Sequence, residues 1–316
     1  MELSSILLMF SGLVVLIIGG NLLLKSAVSI SLKFKIPKIL IGLTVVSLAT
    51  SSPELIISLK SALIGSPDLA IANVVGSNIA NLGLVLGLTI LLSHLKISKD
   101  IYKVDWPIMI FSSFCFYVMI SDSIINRSEG LILVSFLIIT IFSLIKHQKN
   151  SNEDLNVEVD SGDSVDSIFK SILILLVGGF FLYLGSEWFI SGAIELASFF
   201  GVSERIIGIT VVSIGTSVPE LVTSMVAIYK KEKSISLGNL LGSNIFNIFA
   251  VLGITSIVTP LIVGDVNIVN FDIYIMLFFA LIIFPLIYMP NRYVLGRKEG
   301  VIILSFYFLY VFNIII

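Results

Sequence analysis

Apolar runs of about 18 residues or more recur along most of the chain, and no other feature restricts its fold as strongly. In hydrocarbon a segment must satisfy its own backbone hydrogen bonds, and long apolar segments do so as helices. The composition agrees, since 57% of the 316 residues are hydrophobic and 13% are charged, against about 25% charged in soluble domains. We therefore expect an all-α membrane protein whose surroundings are the lipid bilayer.

Hydropathy predicts ten transmembrane helices, separated by short loops except at one place. The spans lie at about residues 4–24, 39–61, 69–93, 104–121, 128–146, 168–190, 205–229, 235–260, 270–289 and 299–315. Between the fifth and the sixth lies one long polar stretch, HQKNSNEDLNVEVDSGDSVDS, at 147–167. Its acidic composition with Gly and Ser is typical of a flexible linker. We therefore expect two five-span units, 1–147 and 168–316, joined by a linker at 148–167.

The two units repeat each other. Segment 42–58, GLTVVSLATSSPELIIS, matches segment 208–224, GITVVSIGTSVPELVTS, at 11 of 17 positions. The same shift of 166 residues aligns 73–87 with 239–253 at 9 of 15 positions, and it carries Asn150 onto Ile316. Leucine and valine could coincide by chance in apolar helices, but Pro, Glu, Asn and Gly in one register could not. We expect an ungapped tandem duplication with paired motifs at 42–87 and 208–253.

Because five is odd, the second unit must enter the membrane from the side opposite to the first. Basic residues in loops favour the cytoplasmic side. With the N-terminus outside, 16 of the 19 Lys and Arg residues face the cytoplasm, and the other three are Lys60, Arg127 and Arg205. We therefore predict two inverted five-helix repeats in the cell membrane, with both termini extracellular and the acidic linker cytoplasmic. Inverted repeats with interrupted helices are typical of secondary transporters.

Glu54 and Glu220 lie near the centres of the second and seventh predicted spans. An ionised carboxylate there costs at least about 2.5–3.5 kcal/mol. One explanation is a protonated carboxyl that helps helices to pack, and another is an ion pair with lysine. However, the nearest basic residue, Lys60, is almost two helical turns from Glu54. Because the two glutamates occupy matching positions, we favour a third explanation, a cation that binds and leaves.

The neighbours of each glutamate are rich in oxygen. In each repeat three hydroxyl residues share a helical face with the glutamate, and the members of the two faces are Ser47, Thr50, Ser51 and Glu54, and Ser213, Thr216, Ser217 and Glu220. Pro53 and Pro219 should kink these helices and loosen the preceding turn. Such an all-oxygen site suits hard cations such as Na⁺ and Ca²⁺, whereas zinc or copper would favour His and Cys.

The third and eighth predicted spans add polar residues in the same repeated register. Ser and Asn in membrane helices more often serve as hydrogen-bonding contacts between helices than as ligands. The register shared with the glutamates nevertheless favours a ligand role for four of them, namely Ser77, Asn81, Ser243 and Asn247. Asn78 and Asn244 should point elsewhere, and we assign them a structural role.

The paired motifs G-x-T-V-V-S-x-x-T-S-x-P-E and G-S-N-I-x-N resemble the two α-repeats of the cation/calcium antiporter superfamily, and most closely its prokaryotic sodium/calcium exchanger branch. The resemblance implies exchange of Na⁺ for Ca²⁺ by alternating access, with four cation sites between spans 2, 3, 7 and 8 while spans 1 and 6 slide across them. It also implies Ca²⁺ and shared Na⁺ binding by Glu54 and Glu220, carbonyl and hydroxyl ligands from Thr50 and Thr216, Na⁺ ligands from Ser51, Ser77, Ser217 and Ser243, and backbone carbonyl ligands from Ser47 and Ser213.

The sequence departs from part of this superfamily at Asn247. Some relatives, including potassium-dependent exchangers, carry aspartate there, whereas both repeats of this chain have asparagine, at Asn81 and Asn247. The site would therefore hold two carboxylates instead of three. We expect no K⁺ requirement and less competition from protons at this position.

Two other functions remain open at this point. A Ca²⁺/H⁺ antiporter is the nearest alternative, because buried glutamates can carry protons; the many hydroxyl and amide groups suit Na⁺ better. A cation channel is the other, although its repeats are usually parallel around a pore. An enzyme is not expected, since no nucleophile–His pair or metalloprotease motif is present. We expect no prosthetic group, no nucleic-acid partner and no requirement for oligomerisation.

Overall fold

The structure is a computed structural model that describes residues 2–150, 167–200, 213–288 and 293–315. Its helices are α1 (Glu2–Phe34), α2 (Lys38–Thr50), α3 (Ser52–Leu63), α4 (Pro67–Leu92), α5 (Ile101–Asp122), α6 (Arg127–Asn150), α7 (Ile168–Phe199), α8 (Ser213–Thr216), α9 (Val218–Tyr229), α10 (Lys233–Val258), α11 (Ile268–Leu286) and α12 (Arg297–Ile315). Four two-residue strands lie in the loops: β1 (Leu95–Lys96), β2 (Ile124–Ile125), β3 (Leu261–Ile262) and β4 (Val294–Leu295).

The described part of the chain contains seven helices long and apolar enough to cross a membrane, and an eighth if the bent pair α2 and α3 is one span. The fold is therefore that of an all-α membrane protein, whereas the count of ten spans stays a prediction. Two helices are longer than hydropathy predicts: α1 continues to Phe34 and α7 to Phe199. Hydropathy ends a span where polar residues begin, but a helix continues wherever its backbone bonds and contacts do. Residues 151–166, most of the predicted linker, lie outside the described residues.

Helices α1 and α7 form an antiparallel pair whose backbones nearly touch. A Cβ atom added to Gly12 would lie 2.6 Å from the backbone nitrogen of Phe189, and one added to Gly19 would lie 2.9 Å from the carbonyl of Gly178. The contact is lined by small residues every seven positions, namely Ser5, Gly12, Gly19 and Ser26 on α1 and Ser171, Gly178, Gly185 and Gly192 on α7. Small residues of this kind let membrane helices approach closely.

The innermost helices are α4 and α10, of which 78% and 83% of the most apolar stretch is buried, compared with 22% for α7. Helix α10 lies directly against α2, because a Cβ atom on Gly42 would be 2.6 Å from the carbonyl of Ile235 and one on Gly242 would be 2.5 Å from that of Leu43. The motif segments of the two repeats are thus packed against each other in the centre of the molecule.

The loops that the sequence places on the cytoplasmic face contact one another. Strand β1 pairs with β4, and the Lys233 ammonium donates to the carbonyl of His94 at 2.9 Å. Lys38, at the start of α2, forms an ion pair with Glu232 at 2.7 Å. Each of these contacts joins two loops that are predicted to share this face.

The loops predicted on the opposite face also contact one another. Strand β2 pairs with β3, and the Asp68 carboxylate accepts hydrogen bonds from the backbone of Gly264 and Asp265 at 2.7 and 3.3 Å. The described loops therefore separate into two groups, as an alternation of the predicted spans would place them, and this grouping is the same whichever face is cytoplasmic.

The expectation of an ungapped duplication is wrong for the last helix. Gly130 in α6 lies against Gly253, whereas Gly300 in α12 lies against Gly87. These contacts match at Gly87 and Gly253 by a shift of 253 − 87 = 166, but at Gly130 and Gly300 by a shift of 300 − 130 = 170. The second copy is therefore four residues longer than the first between these two positions.

Candidate cation-binding site

Both glutamate helices are broken at the same motif position. Ser51, with φ −85° and ψ 5°, separates α2 from α3, whose axes differ by 42°. Ser217, with φ −84° and ψ 2°, separates α8 from α9. Pro53 and Pro219 stand at the start of the second part of each helix, as their kinking effect predicts. The breaks place Glu54 and Glu220 in the first turn of α3 and α9.

The site is assembled by contacts between the two repeats. The Thr50 hydroxyl lies 3.2 Å from that of Ser243, and the Ser77 hydroxyl lies 3.0 Å from that of Thr216. Each pair joins a broken helix of one repeat to the central helix of the other. All four side chains are fully buried. Neither repeat alone could therefore form this arrangement.

The two carboxylates are completely buried, with 0% exposure for both Glu54 and Glu220. Ser51 donates a long hydrogen bond of 3.4 Å to Oε1 of Glu220, and the hydroxyls of Thr50 and Ser243 lie beside the same carboxylate. Among the described residues, no side chain donates to either oxygen of Glu54. Lys38–Glu232 is the one ion pair in that part of the chain, so neither buried glutamate has a basic partner there.

Further buried atoms at the motif positions also lack a protein partner. Within the ranges that the structure describes, the side-chain oxygens without a hydrogen-bond partner include both of Glu54, Oε2 of Glu220, Oδ1 of Asn81, Oγ of Ser217 and Oδ1 of Asn247. A buried polar group without a partner costs about 1–3 kcal/mol. A hard cation binds carboxylate, hydroxyl and amide oxygens of this type. The donor set therefore fits Na⁺ or Ca²⁺ as a transported substrate.

Ser47 contributes differently from its neighbours. Its hydroxyl donates to the carbonyl of Leu43 at 2.8 Å within the same helix, and it faces α10 beside Gly242. Its own carbonyl accepts from the backbone of Ser51 at 2.9 Å and, more weakly, from the Thr50 hydroxyl at 3.3 Å. A ligand role for Ser47 would therefore use the carbonyl, not the hydroxyl. Ser213 begins α8, but its side chain lies outside the described residues.

Sequence reasoning missed several residues that hold the site together. Asn239 accepts from the Thr50 hydroxyl at 3.0 Å, and Ser186 of α7 donates to the carbonyl of Gly215 at 3.2 Å. Asn78, assigned a purely structural role, accepts from the amide of Asn247 at 3.0 Å. For the contact of Asn239, the four-residue spacing between Asn239 and Ser243 was a usable signal in the sequence. Nothing in the sequence identifies the other two contacts.

Comparison with known proteins gives one consistent result. The family model described as "Sodium/calcium exchanger protein" matches residues 4–146 and 170–316. The sodium/calcium exchanger MaX1 of Methanosarcina acetivorans is 32% identical, with 95% of each chain covered. The inner membrane protein YrbG of Escherichia coli is 31% identical, with 94% of this chain and 92% of that protein covered.

Among solved structures, the sodium/calcium exchanger from Methanococcus jannaschii is similar to this chain with a TM-score of 0.83 and 26% sequence identity. The superposition covers 98% of both chains. The likeness thus extends over both repeats and over the buried site between them.

Proposed function

Because the chain belongs to the sodium/calcium exchanger protein family, we propose that it exchanges Na⁺ for Ca²⁺ across the cell membrane by alternating access. Membership of this family makes the chain a membrane antiporter for cations and Ca²⁺. The family is one of transporters, not of enzymes. The coupling to Na⁺ is the proposed part. The observation that carries it is a pair of fully buried glutamates without basic partners among the described residues, surrounded by hydroxyl and amide oxygens.

The charge of the site explains coupling. Glu54 and Glu220 together carry two negative charges when ionised, which one Ca²⁺ or two Na⁺ would neutralise. An uncompensated buried charge costs several kcal/mol, so the empty site resists reorientation across the membrane. Because the two cations need the same oxygens, the site holds one kind at a time. These two constraints give exchange in place of leak.

The proposed ligands are the residues of the two motif faces and of the two central helices. Glu54 and Glu220 would bind Ca²⁺ and share Na⁺. The hydroxyl and amide ligands would be Thr50, Ser51, Ser77, Asn81, Thr216, Ser217, Ser243 and Asn247, and backbone carbonyls would come from Ser47 and Ser213. The contacts of Thr50 with Ser243 and of Ser77 with Thr216 support this set, because they bring both halves to one place.

We propose the same topology that the sequence predicts: ten spans in two inverted repeats, both termini extracellular, and the linker 148–167 cytoplasmic. The loop contacts cited above support the alternation of the spans, since each joins loops predicted to share a face, whereas the orientation rests on the positive-inside count. The close α1–α7 pair would be the element that moves across the site. Its small-residue contact lets two helices move as one body, and α1 reaches α9 where Gly20 faces Thr223.

The test is uptake of radiolabelled Ca²⁺ into proteoliposomes that contain the purified protein. Uptake should follow an outward Na⁺ gradient, saturate with Ca²⁺, and be unaffected when K⁺ replaces choline on either side. Uptake driven by a pH gradient without Na⁺ would replace the proposal with Ca²⁺/H⁺ exchange. Uptake that needs no counter-ion would indicate a channel, and a requirement for K⁺ would overturn the argument from Asn247.

A further inference from the structure

Three asparagines form a chain of hydrogen bonds beside the site. The Asn78 amide nitrogen donates to the backbone carbonyl of Asn244 at 3.4 Å and lies 3.8 Å from the sulfur of Met276. The Asn78 amide oxygen accepts from the amide nitrogen of Asn247 at 3.0 Å. Asn78 is 1% exposed and Asn247 is 0% exposed, so water does not compete for these bonds.

The direction of this chain is fixed at one end. A backbone carbonyl can only accept, so Asn78 must turn its NH₂ group to Asn244 and its oxygen to Asn247. A reversed Asn78 would place two acceptors 3.4 Å apart and would set its NH₂ group against that of Asn247. Asn247 must therefore donate to Asn78, and its own oxygen points away from this bond. That oxygen has no partner among the residues described.

We propose that Asn78 is the positioning residue that turns the amide oxygen of Asn247 toward the cation and requires a hydrogen-bond donor at position 247. This inference rests on the proposed function, because it needs Asn247 to be a ligand. Asn78 itself does not bind the cation. A carboxylate at position 247 could not donate to Asn78 and would place its oxygen against that of Asn78. The arrangement thus disfavours an ionised carboxylate at position 247.

The other repeat offers a matched control. Asn244 is the repeat equivalent of Asn78, since 244 − 78 = 166. Its amide nitrogen donates to the carbonyl of Leu240 in its own helix at 2.7 Å. Both amide atoms of Asn81, the equivalent of Asn247, lack partners in the described ranges. Asn244 therefore has the same chemistry and burial as Asn78 but does not orient a ligand.

The experiment compares Asn78→Ala, Asn78→Ser and Asn244→Ala in proteoliposomes and in detergent. Asn78→Ala removes the acceptor, and we expect the Ca²⁺ concentration for half-maximal uptake to rise about three- to tenfold, the effect of one lost hydrogen bond. Asn78→Ser keeps an acceptor that is one bond shorter than the amide oxygen, so its half-maximal Ca²⁺ concentration should fall between those of wild type and Asn78→Ala. Asn244→Ala should also stay close to wild type. Ca²⁺-dependent stabilisation against heat measures binding independently of transport.

A double-mutant cycle separates positioning from general packing. In an Asn247→Ala background, Asn78→Ala should have almost no further effect on Ca²⁺ binding, because the group it orients is gone. Equal effects of Asn78→Ala in both backgrounds, or equal effects of Asn78→Ala and Asn244→Ala, would overturn the inference. If Asn78→Ala does not fold, a Ser variant that loses Ca²⁺ affinity as strongly as Asn247→Ala also overturns it. If wild type neither binds nor exchanges Ca²⁺, the proposed function fails instead.

Discussion

Asn73 and Asn239 occupy the same position in the two repeats but bond in opposite ways. Asn73 donates to the carbonyl of Glu54 at 3.3 Å and to the Ser58 hydroxyl at 3.0 Å, both within its own repeat. Asn239 instead accepts from Thr50 of the other repeat. The two glutamates differ as well, since Ser51 donates to Glu220 while no described side chain donates to Glu54.

These differences arise between segments that share most of their residues. In the proposed inverted topology the two matching segments enter the membrane from opposite sides, so their neighbours differ. Equal sequence therefore supplies two equivalent sets of groups but does not require equivalent bonds.

The largest expected effect comes from the glutamates. Glu54→Gln and Glu220→Gln should each lower Na⁺-driven Ca²⁺ uptake by at least about a hundredfold, because half of the charge that attracts Ca²⁺ is removed. Uptake into proteoliposomes measures this. Glu195→Gln, the same change at an exposed glutamate of α7, should leave uptake unchanged. Normal uptake by either site variant would show that the two halves do not share one cation.

Effects of intermediate size should distinguish Asn73 from Asn239. Asn73→Ala removes donors to two buried groups of its own repeat and should lower the free energy of unfolding by about 1–3 kcal/mol. Asn239→Ala removes one partner of the Thr50 hydroxyl and should raise the half-maximal Ca²⁺ concentration about threefold or more with a smaller loss of stability. Heat unfolding in detergent measures the loss of stability, and uptake assays measure the half-maximal Ca²⁺ concentration. If both variants changed stability and half-maximal Ca²⁺ concentration equally, the different hydrogen bonds of the two asparagines would have no functional consequence.

The smallest effect should come from the contact between α7 and α8. Ser186→Ala removes the donor to the Gly215 carbonyl, a bond worth about 1 kcal/mol, and should change the maximal rate a few-fold with little change in half-saturation. The equivalent position in the first repeat is Gly20, where an added Cβ would lie 3.4 Å from Val222. Gly20→Ser should therefore fit without a steric clash, and it is the variant of the first repeat to compare with Ser186→Ala. A shift in half-saturation alone would contradict a role in movement.

Much of the framework could be predicted from local sequence. Apolar runs located the helices, and Pro53 and Pro219 located the breaks, because a missing N–H and a steric clash act within one turn. The ends of α1 and α7 could not be predicted, since hydropathy reports contact with lipid while helices continue beyond it. The four-residue difference in length between the two repeats was also missed, because the shift was measured on the motifs and extended to a segment with weaker similarity.

The candidate ligands were predictable because charge and oxygen content are properties of residues, and an unpaired membrane glutamate demands a compensating group. The sequence could not predict that Thr50 pairs with Ser243 and Ser77 with Thr216, because the members of these pairs are 193 and 139 positions apart. The role of Asn78 could not be predicted either, because Asn78 and Asn244 lie at the same spacing before Asn81 and Asn247, respectively.

The sequence by itself determined the helices, their breaks, the duplication and the types of group in the candidate site, because each depends on a residue and its near neighbours. Only the tertiary structure decided which repeat supplies the partner of each group, and which of two equivalent asparagines is held in place. Hydrogen bonds are directional and short, so their partners depend on how distant helices meet. The residues on the two sides of the site are nearly the same, and their surroundings make them different.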